Sequence, residues 1–256
     1  MRIPSKQIAF LLAVLLAGPY ARAQAVKVAA AADLKFAMVE LAAQFEKESG
    51  AKLDVTYGSS GNFLTQIQNG APFDLFFSAD SQYPKKLEAA GLTEPGTLRE
   101  YAVGHIVIWT PSGSGINAAK GGWTCLLDQR VKKIAVANPE HAPYGRAAVA
   151  ATKKAGIYEQ VKDKLVYGEN ISQAAEFVQS GNAQAGIVAL SLALSPAMKN
   201  GNRWEIPADS YPAIKQAAVI LKASKNKDGA RRFLDFVSGP QGREILQRFG
   251  FTVPAP

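Results

Sequence analysis

The strongest constraint on the fold is a regular alternation of short apolar runs with amphipathic helical stretches. From Val26 the chain reads VKVAAA, a helical stretch over residues 34–49, LDVTY, a second helical stretch over residues 62–69, and DLFFS. In the first helical stretch apolar side chains recur every three or four residues on one face, and Gly50 supplies a stop. This βαβαβ order predicts an α/β unit.

A second α/β series begins after a change of composition at the loop PSGSG, residues 111–115. Before this loop, the apolar segment AVGHIVIWT is predicted to be one long strand over residues 102–110. After it, strands and helices alternate again in the segments KKIAVANP, GRAAVAATKKAG, residues 158–164, LVYG, ISQAAEFVQSG and AGIVALSLA. The chain closes with a strand-like QAAVIL and two helical stretches that Gly239-Pro240 separates.

Two α/β units of roughly 110 residues each, with terminal helices left to pack back on the first unit, predict two lobes joined by crossing strands. The predicted first lobe comprises residues 26–104 plus 219–256, and the predicted second lobe comprises residues 105–218. A cleft between two such lobes is the default place for a ligand.

Residues 1–25 are predicted to be a signal peptide. The apolar run over residues 8–18 follows Arg2 and Lys6, and it is too short for a membrane-crossing helix, which needs about 20 residues. Small residues flank two possible cleavage positions, after Ala23 and after Ala25. No cysteine lies there, so a lipid anchor is not expected. The mature chain is therefore predicted to be exported.

The charge of the mature chain gives no sign of nucleic-acid binding. Removing residues 1–25 removes three cationic residues and no acid, which lowers the formal charge from +8 to +5. The remaining Lys and Arg are scattered, without a basic stripe interleaved with aromatic residues. A mild positive field would still help to collect an anionic ligand.

The residue types that catalysis and metal binding require are sparse. His105 and His141 are the only histidines, and neither has a second His or a Cys at a metal-ligand spacing. There is no nucleophile elbow, phosphate-binding P-loop or dinucleotide fingerprint, and Cys125 is the only cysteine. The sequence therefore predicts a protein that is not an enzyme and has no cofactor and no cation site. A secreted hydrolase is the weakest alternative.

The turns that lead from strands into helices are the most informative candidate binding positions. The first N–H groups of a helix have no partner within the helix, and the aligned peptide dipoles favour an anion there. Four turns have small or hydroxyl-bearing residues that suit this role: AAADLK, YGSSGNF, NPEHAPYGR and GENIS.

Residues in these turns have competing interpretations. Ser59 and Ser60 offer more donors than a helix cap needs, although capping alone would explain one hydroxyl. Asp33 is expected at the N-cap of its own helix, where it would stabilise that helix by about 1 kcal/mol. Tyr144 could either reach into the cleft or pack against the core.

The same turns, taken in order, resemble the periplasmic molybdate-binding proteins of ABC importers. The resemblance runs from Val26 to the C-terminus through AAADLK, YGSSGNF, APFDLFFSAD, ANPEHAPYGRAA, GENISQA, AGIVALS and GPQGREILQRFGF. It implies a type II periplasmic binding protein fold, in which two α/β lobes close on a tetrahedral oxyanion, molybdate or tungstate. It also implies a periplasmic monomer that delivers the anion to a membrane permease, with molybdenum present only as the bound oxyanion.

The resemblance also implies a set of oxyanion ligands. Ser60 matches a hydroxyl ligand, Tyr144 a loop residue that contacts the anion, and Ile171 a backbone amide donated at a helix start. The full implied set is Asp33, Ser60, Tyr144, Ile171 and Ala189, with Leu34, Ser59 and Asn170 as secondary candidates.

Two of these positions depart from the family pattern. Many members carry a hydroxyl or amide side chain in place of Asp33, and some carry a ligating tyrosine in place of Ala189. A carboxylate about 4 Å from a dianion costs about 1–4 kcal/mol or more per charge pair. Asp33 is therefore expected to turn its carboxylate back to cap its helix, unless the ligand is a different or protonated species.

Another oxyanion or a small organic anion on the same fold is the alternative function. An organic carboxylate would need a bidentate arginine, and Arg146 is the only one in the candidate turns.

Overall fold

The computed structural model describes residues 25–254, which form two α/β lobes. Residues 1–24, which include all but the last residue of the predicted signal peptide, lie outside the described part. Within residues 25–254, no helix combines the length and hydropathy needed to cross a bilayer.

The first lobe contains the beginning and the end of the described chain. Its elements are β1 (Val26–Ala31), α1 (Lys35–Ser49), β2 (Leu53–Gly58), α2 (Ser60–Gln68), β3 (Leu75–Ser78), α3 (Gln82–Ala89), β4 (Arg99–Gly104), β10 (Ile214–Ile220), α9 (Lys227–Ser238) and α10 (Pro240–Arg248).

The second lobe contains the middle of the chain. Its elements are β5 (Ile106–Thr110), α4 (Ala118–Gly121), β6 (Ile134–Ala137), α5 (Pro143–Lys154), α6 (Tyr158–Val161), β7 (Leu165–Gly168), α7 (Ile171–Gln179), β8 (Ala185–Ala189), α8 (Leu190–Ala193) and β9 (Asn202–Glu205).

Each lobe is built on one five-stranded mixed sheet. The strand order is β2-β1-β3-β10-β4 in the first sheet and β7-β6-β8-β5-β9 in the second. In the first sheet β1 pairs in parallel with β2 and β3, and in the second β6 pairs in parallel with β7 and β8. Strands β10 and β5 run antiparallel to both of their neighbours. The predicted α/β architecture with two lobes is confirmed.

Both faces of the first sheet are covered, which fixes the positions of its loops. Because side chains alternate along a strand, Phe76 and Phe77 of β3 point to opposite faces. Phe77 packs edge-on against Phe233 of α9, whereas Phe76 packs against Phe63 of α2. Burial on both sides also explains why the strands read as continuous apolar runs rather than as alternating patterns.

The chain crosses between the lobes where a single long strand was predicted, and that prediction is wrong. Strand β4 pairs with β10 in the first sheet, and β5 pairs with β8 and β9 in the second. His105 lies at the break between them, with its Nε2 2.8 Å from the Thr252 hydroxyl oxygen. The residues on either side of the break, AVG at the end of β4 and IVIW at the start of β5, are apolar, so the sequence pattern contains no signal of the switch.

The second crossing leads from β9 into β10. All of β10, residues 214–220, pairs with the first sheet, so the predicted lobe boundary after residue 218 would fall inside this strand. The residue limits of the two lobes stay a prediction. Strand β9 was not predicted, because its sequence NRWE is too polar to stand out. The segment AGIVALSLA was predicted to be a strand throughout, but the strand ends at Ala189 and the chain continues as the short helix α8.

The parallel strands of both sheets end toward the space between the lobes. Strands β1 and β2 end at Ala31 and Gly58, and β6 and β7 end at Ala137 and Gly168. Ligands of open α/β sheets bind at the carboxyl ends of the strands, so these four ends define the place to look for a site.

Candidate functional site

A small cavity lies where the loops after these four strands meet. It encloses about 190 Å³, including its open mouth. Its lining comes from both lobes: Ala31, Ala32, Asp33, Gly58, Ser59, Ser60 and Ala79 from the first, and Ala142, Pro143, Tyr144, Asn170 and Ile171 from the second. The structure thus brings six of the eight candidate ligands together, Asp33, Ser59, Ser60, Tyr144, Asn170 and Ile171. It does not place Ala189 or Leu34 in the lining.

The two serines at the start of α2 have different roles. Ser59 is the N-cap, and its hydroxyl oxygen accepts a hydrogen bond from the Asn62 amide at 3.4 Å. The Ser60 hydroxyl oxygen instead accepts one from the Ala79 amide at 2.9 Å. Within residues 25–254 no hydrogen bond donated by the Ser60 hydroxyl is found. This hydroxyl is therefore held in place as an acceptor and keeps its proton for a ligand.

The start of α7 also combines a cap with an amide at the cavity. The Asn170 side chain accepts hydrogen bonds from the amides of Ser172 at 2.9 Å and Gln173 at 3.1 Å. This cap does not use the amide of Ile171, the first residue of the helix, and Ile171 itself lines the cavity. An N–H group in this position adds to the positive end of the helix dipole.

Tyr144 lies in the first turn of α5 and is only 2% exposed. The hydroxyl donates a hydrogen bond to Asp33 Oδ2 at 2.9 Å, across the space between the lobes. Burial raises the pKa of the Tyr144 hydroxyl well above its ordinary value, so it stays protonated as a donor. Gly104 permits this contact, because a Cβ at that position would lie 2.1 Å from the Tyr144 hydroxyl oxygen.

Asp33 does not cap a helix, and that prediction is wrong. It lies inside a single 3-10 turn, Ala32–Leu34, whose N-cap is Ala31 and which has no side-chain cap. The Asp33 carboxylate turns instead toward donors that are distant in sequence: its Oδ2 accepts from Gln216 Nε2 at 2.6 Å as well as from Tyr144. Its other oxygen, Oδ1, is buried and has no hydrogen-bond partner among the described residues.

The buried carboxyl of Asp33 holds its proton more strongly than an ordinary aspartate. Asp33 is 1% exposed, and burial raises its pKa from 3.8 to about 6. The hydrogen bonds from Gln216 and Tyr144 work in the opposite direction, as do the nearby amides of Asp33 and Leu34, but they do not offset the loss of hydration.

Gln216 is a site residue that sequence reasoning missed. It is fully buried in β10, and its Oε1 accepts a hydrogen bond from the Tyr101 hydroxyl at 2.7 Å. That bond fixes the orientation of the amide, so that Nε2 faces Asp33 and also lies 3.1 Å from the Tyr144 hydroxyl oxygen. The one signal was a glutamine at the start of an otherwise apolar strand, QAAVIL, and a buried polar side chain of this kind must be hydrogen-bonded.

Ala189 and Leu34 have positions behind the cavity rather than in its wall. Ala189 ends β8 and is fully buried, and Leu34 packs in the core of the first lobe. Two residues after Ala189, the Ser191 hydroxyl donates to the Asp33 carbonyl oxygen at 2.7 Å. This bond joins the start of α8 in the second lobe to the 3-10 turn of the first.

The cavity wall contains no lysine or arginine, and Asp33 is its only carboxyl group. Arg146, which an organic carboxylate would need, is already occupied: its guanidinium donates to Asp80 Oδ2 at 2.6 Å and to the Tyr83 hydroxyl at 3.0 Å. It lines a larger neighbouring groove that opens beside Lys215. No group of three or more metal-ligating side chains occurs within the described residues.

Polar contacts hold the two lobes together around the cavity. The Gly61 amide donates to the His141 carbonyl oxygen at 3.0 Å, and the Asn62 side chain donates to Glu169 at 2.6 Å. The His141 ring nitrogen Nδ1 lies 3.0 Å from the Ser59 hydroxyl oxygen. The lobes are therefore closed on each other, with hydrogen bonds that an opening motion would break.

Comparison with known proteins identifies relatives of this chain. The sequence is similar to the molybdate-binding protein ModA of Azotobacter vinelandii, with 40% identity over 90% of this chain and 91% of that protein. It is also similar to the molybdate-binding protein ModA of Rhodobacter capsulatus, with 39% identity over 88% of this chain and 86% of that protein.

A solved structure gives the same result for the fold. The structure of the Azotobacter vinelandii periplasmic molybdate-binding protein matches with a TM-score of 0.83 and 34% identity, over 90% of this chain and 100% of that one. This match confirms the predicted fold, that of a periplasmic binding protein. Because the relatives are binding proteins, the prediction that the chain is not an enzyme is also confirmed. The family profile described as "Bacterial extracellular solute-binding protein" matches residues 26–252. On these grounds the chain belongs to the family of bacterial extracellular solute-binding proteins.

Proposed function

We propose that the mature chain captures molybdate in the cavity between its lobes and delivers it to the membrane permease of an ABC importer. The single observation that carries the proposal is the convergence of helix starts from both lobes on a cavity whose wall has no lysine or arginine. The names of the two relatives at 40% and 39% identity support molybdate as the ligand.

The available donors suit a tetrahedral dianion. Each oxygen of such an anion only accepts hydrogen bonds, and the cavity offers the Ser60 hydroxyl together with amides at the starts of α2, α5 and α7. Each hydrogen bond to a charged group contributes about 1.5–3 kcal/mol. The helix dipoles add a fixed positive potential, so the site needs no cation to hold the anion.

The predicted ligands have distinct roles in this proposal. Ser60 donates a hydrogen bond from its hydroxyl group, and Ile171 donates one from its backbone N–H. Tyr144 contributes its backbone at the start of α5, since its hydroxyl is engaged by Asp33. Ala189 has an indirect role and does not contact the anion. It precedes α8, and the Ser191 hydroxyl of that helix donates a hydrogen bond to the Asp33 carbonyl oxygen.

Selection among anions follows from the fixed spacing of these donors. A smaller tetrahedral anion such as sulfate would leave some buried donors unpaired, at a cost of about 1–3 kcal/mol for each. Tungstate, which has nearly the same size and charge as molybdate, is expected to bind as well. The engaged Arg146 disfavours an organic carboxylate, so another oxyanion is the second candidate.

We also infer where the protein acts. Cleavage after Ala23 or Ala25 would release a periplasmic monomer, and a closed, loaded pair of lobes would present the permease with a shape that the empty protein does not hold.

Elemental analysis after competition tests the proposed function. The mature chain is exposed to an equimolar mixture of molybdate, tungstate, sulfate and phosphate, freed of unbound ions by gel filtration, and analysed for Mo, W, S and P. We expect retained molybdenum plus tungsten to reach about one atom per chain, as for a single interlobe site. Phosphorus, or bound sulfur above the protein's own content, in place of molybdenum would contradict the proposal.

A thermal-shift screen of the same anions against amino acids separates the organic-ligand alternative. A ligand of the folded protein raises the melting temperature according to its concentration relative to its Kd. Stabilisation by amino acids but not by molybdate would favour that alternative.

A further inference from the structure

The structure presents one feature that a site for a dianion does not require, a buried carboxyl in its wall. Oδ2 of Asp33 is held by two donors, from α5 and β10, while Oδ1 is buried without a partner. Asp33 is also among the residues that line the cavity. An anion in this space would lie against Asp33, and Oδ1 is the carboxyl oxygen that is still without a partner.

The protonation state of the Asp33 carboxyl group therefore decides whether this group attracts or repels an anion in the cavity. As a carboxylate, Oδ1 would bring a negative charge against an anion oxygen, and neither atom could donate a hydrogen bond. With a proton on Oδ1, the same contact becomes a donated O–H···O hydrogen bond to a charged acceptor, which is a short and strong class of bond.

The neighbours of Asp33 define which oxygen can carry this proton. The Tyr101 hydroxyl donates to Gln216 Oε1, so Gln216 must present its N–H groups to Asp33. Tyr144 also donates to the same oxygen. Because Oδ2 accepts from two donors, the proton belongs on Oδ1, the oxygen that has no other partner.

We propose that Asp33 binds the oxyanion as a neutral carboxylic acid, so that capture of a fully ionised anion takes up one proton from solvent. The proton forms an O–H bond on Oδ1, and no bond of the anion breaks. Gln216 and Tyr144 act as positioning residues that orient the carboxyl. This inference rests on the proposed function and makes Asp33 a determinant of how strongly the site binds at a given pH.

The surroundings of Asp33 contain few other groups that titrate near neutral pH. Tyr144 from α5 and Tyr101 from β4 have pKa values raised well above the ordinary value by burial. From α1 and α7, Lys35 and Glu176 form an ion pair at 3.1 Å at the surface. Gln216 and Ser191, which touch Asp33 from β10 and α8, do not titrate.

His141 is the one further group to control for. It is an ionisable side chain that contacts Ser59 in the cavity wall. The variant His141→Gln removes this ionisable ring without altering Asp33, and it is the matched control.

Calorimetry counts the protons directly. Molybdate is titrated into the mature chain in two buffers of different ionisation enthalpy at a pH of about 7.5, where an Asp33 with a moderately raised pKa is ionised before binding. We expect an uptake of close to one proton per anion, and an affinity that falls about tenfold per pH unit above neutrality. His141→Gln should show the same uptake as the unmodified chain.

The variant Asp33→Asn provides the decisive contrast. Since Gln216 and Tyr144 both donate, they select the amide oxygen, which leaves the Asn NH₂ group in the place of Oδ1. This variant should bind molybdate with close to no proton uptake and with an affinity that is nearly flat with pH.

The outcomes separate this inference from the function on which it rests. Molybdate binding by the unmodified chain without proton uptake would overturn the role of Asp33 and leave the proposed function intact. Equal uptake by Asp33→Asn and the unmodified chain would do the same. No binding of molybdate by either protein would overturn both. The proton count of the unmodified chain needs no variant, so the test does not depend on how the variants fold.

Discussion

At the scale of single residues, the polar side chains around the cavity have two different roles. Some stabilise the wall of the cavity, and others keep a hydrogen-bond donor for a ligand. Ser59 and Asn170 cap α2 and α7, so their acceptor oxygens are used within the protein. Ser60 accepts from Ala79 and keeps its proton. A donor that is already fixed loses little conformational entropy on binding, which raises affinity without a further contact.

Replacing Ser60 tests this division. Ser60→Ala removes a donor to the anion and leaves the buried Ala79 amide unpaired, and each loss is expected to cost about 1–3 kcal/mol. We therefore expect both the affinity for molybdate and the free energy of unfolding to fall, the affinity about tenfold or more. Ser59→Ala is the comparison, since it removes a cap worth about 1 kcal/mol and the contact with His141 but keeps the Ser60 donor. Equal affinities for the two variants by calorimetry would remove Ser60 from the site.

Asp33 gives a second prediction, which concerns stability without ligand. Its pKa is 3.8 in the ordinary state and about 6 in the folded chain, so between these values the folded chain binds more protons than the unfolded chain. The Asp33 contribution to the free energy of unfolding therefore falls as the pH rises from about 4 to 6 and is constant above that range.

The variant Asp33→Asn does not have this pH dependence. We expect its free energy of unfolding to exceed that of the unmodified chain by about 2–3 kcal/mol at neutral pH, with the difference shrinking toward zero near pH 4. Chemical denaturation of both proteins at about pH 4.5 and 7.5 measures the difference. A difference that does not change with pH would contradict the raised pKa.

The amino-acid sequence predicts some of these residues better than others. The turns that contain Ser60 and Ile171 follow from local pattern, because a small-residue turn before a helix exposes its first donors wherever the helix packs. The choice of these two residues within the turns came from the family resemblance. Gln216 was missed, and the cap assigned to Asp33 was wrong. Both errors have one cause, because the hydrogen bond between these two side chains joins residues that are 183 positions apart in the sequence. Local propensity contains no information about such contacts.

At the scale of secondary-structure elements, the site depends on how the starts of helices approach one another. The start of α2 contacts the loop before α5 closely, where the Gly61 amide donates to the His141 carbonyl oxygen. A Cβ on Gly61 would lie 2.7 Å from that carbonyl oxygen. Glycine is required there by the neighbouring lobe rather than by the backbone of α2, since its φ is not positive.

Replacing Gly61 with alanine should therefore act on closure and not on folding. Within α2 alanine is the better helix former by about 1 kcal/mol, so the ligand-free chain should keep or gain stability. The closed lobes would have to separate, and we expect the affinity for molybdate to fall at least about tenfold through loss of donors from one lobe.

Two measurements check this expectation. Thermal unfolding of the ligand-free variant should match that of Gln66→Ala, a change at an exposed position of the same helix. Calorimetry with molybdate should separate the two variants. Unchanged binding by Gly61→Ala would show that the cavity can be used without this contact.

The order of elements was largely predictable, but the crossings between sheets were not. Strands and helices of both lobes follow from periodicity, because each buries one face or stripe against a sheet. The switch at His105 lies between the apolar end of β4 and the apolar start of β5, which look continuous in sequence. Which sheet a strand joins depends on its pairing with β8, β9 or β10, and no local pattern records that choice.

At the scale of the whole molecule, the two lobes supply complementary halves of one site. The first provides Ser60 and the Asp33 carboxyl, and the second provides Tyr144 and Ile171. Neither half encloses a ligand by itself, so binding and closure are coupled. The exposed bond from Asn62 to Glu169 stabilises the closed state only modestly, whereas the bonds from Tyr144 and Ser191 to Asp33 are buried.

The most direct test of the whole account is a crystal structure of the mature chain grown with molybdate, with diffraction collected at the molybdenum absorption edge. We expect a single anomalous peak between the lobes, within hydrogen-bond distance of the Ser60 hydroxyl and the Ile171 amide. Asp33 Oδ1 should lie against an anion oxygen, with no cation beside it. A peak in the groove beside Arg146, a cation within the cavity, or no ordered molybdenum between the lobes would contradict it.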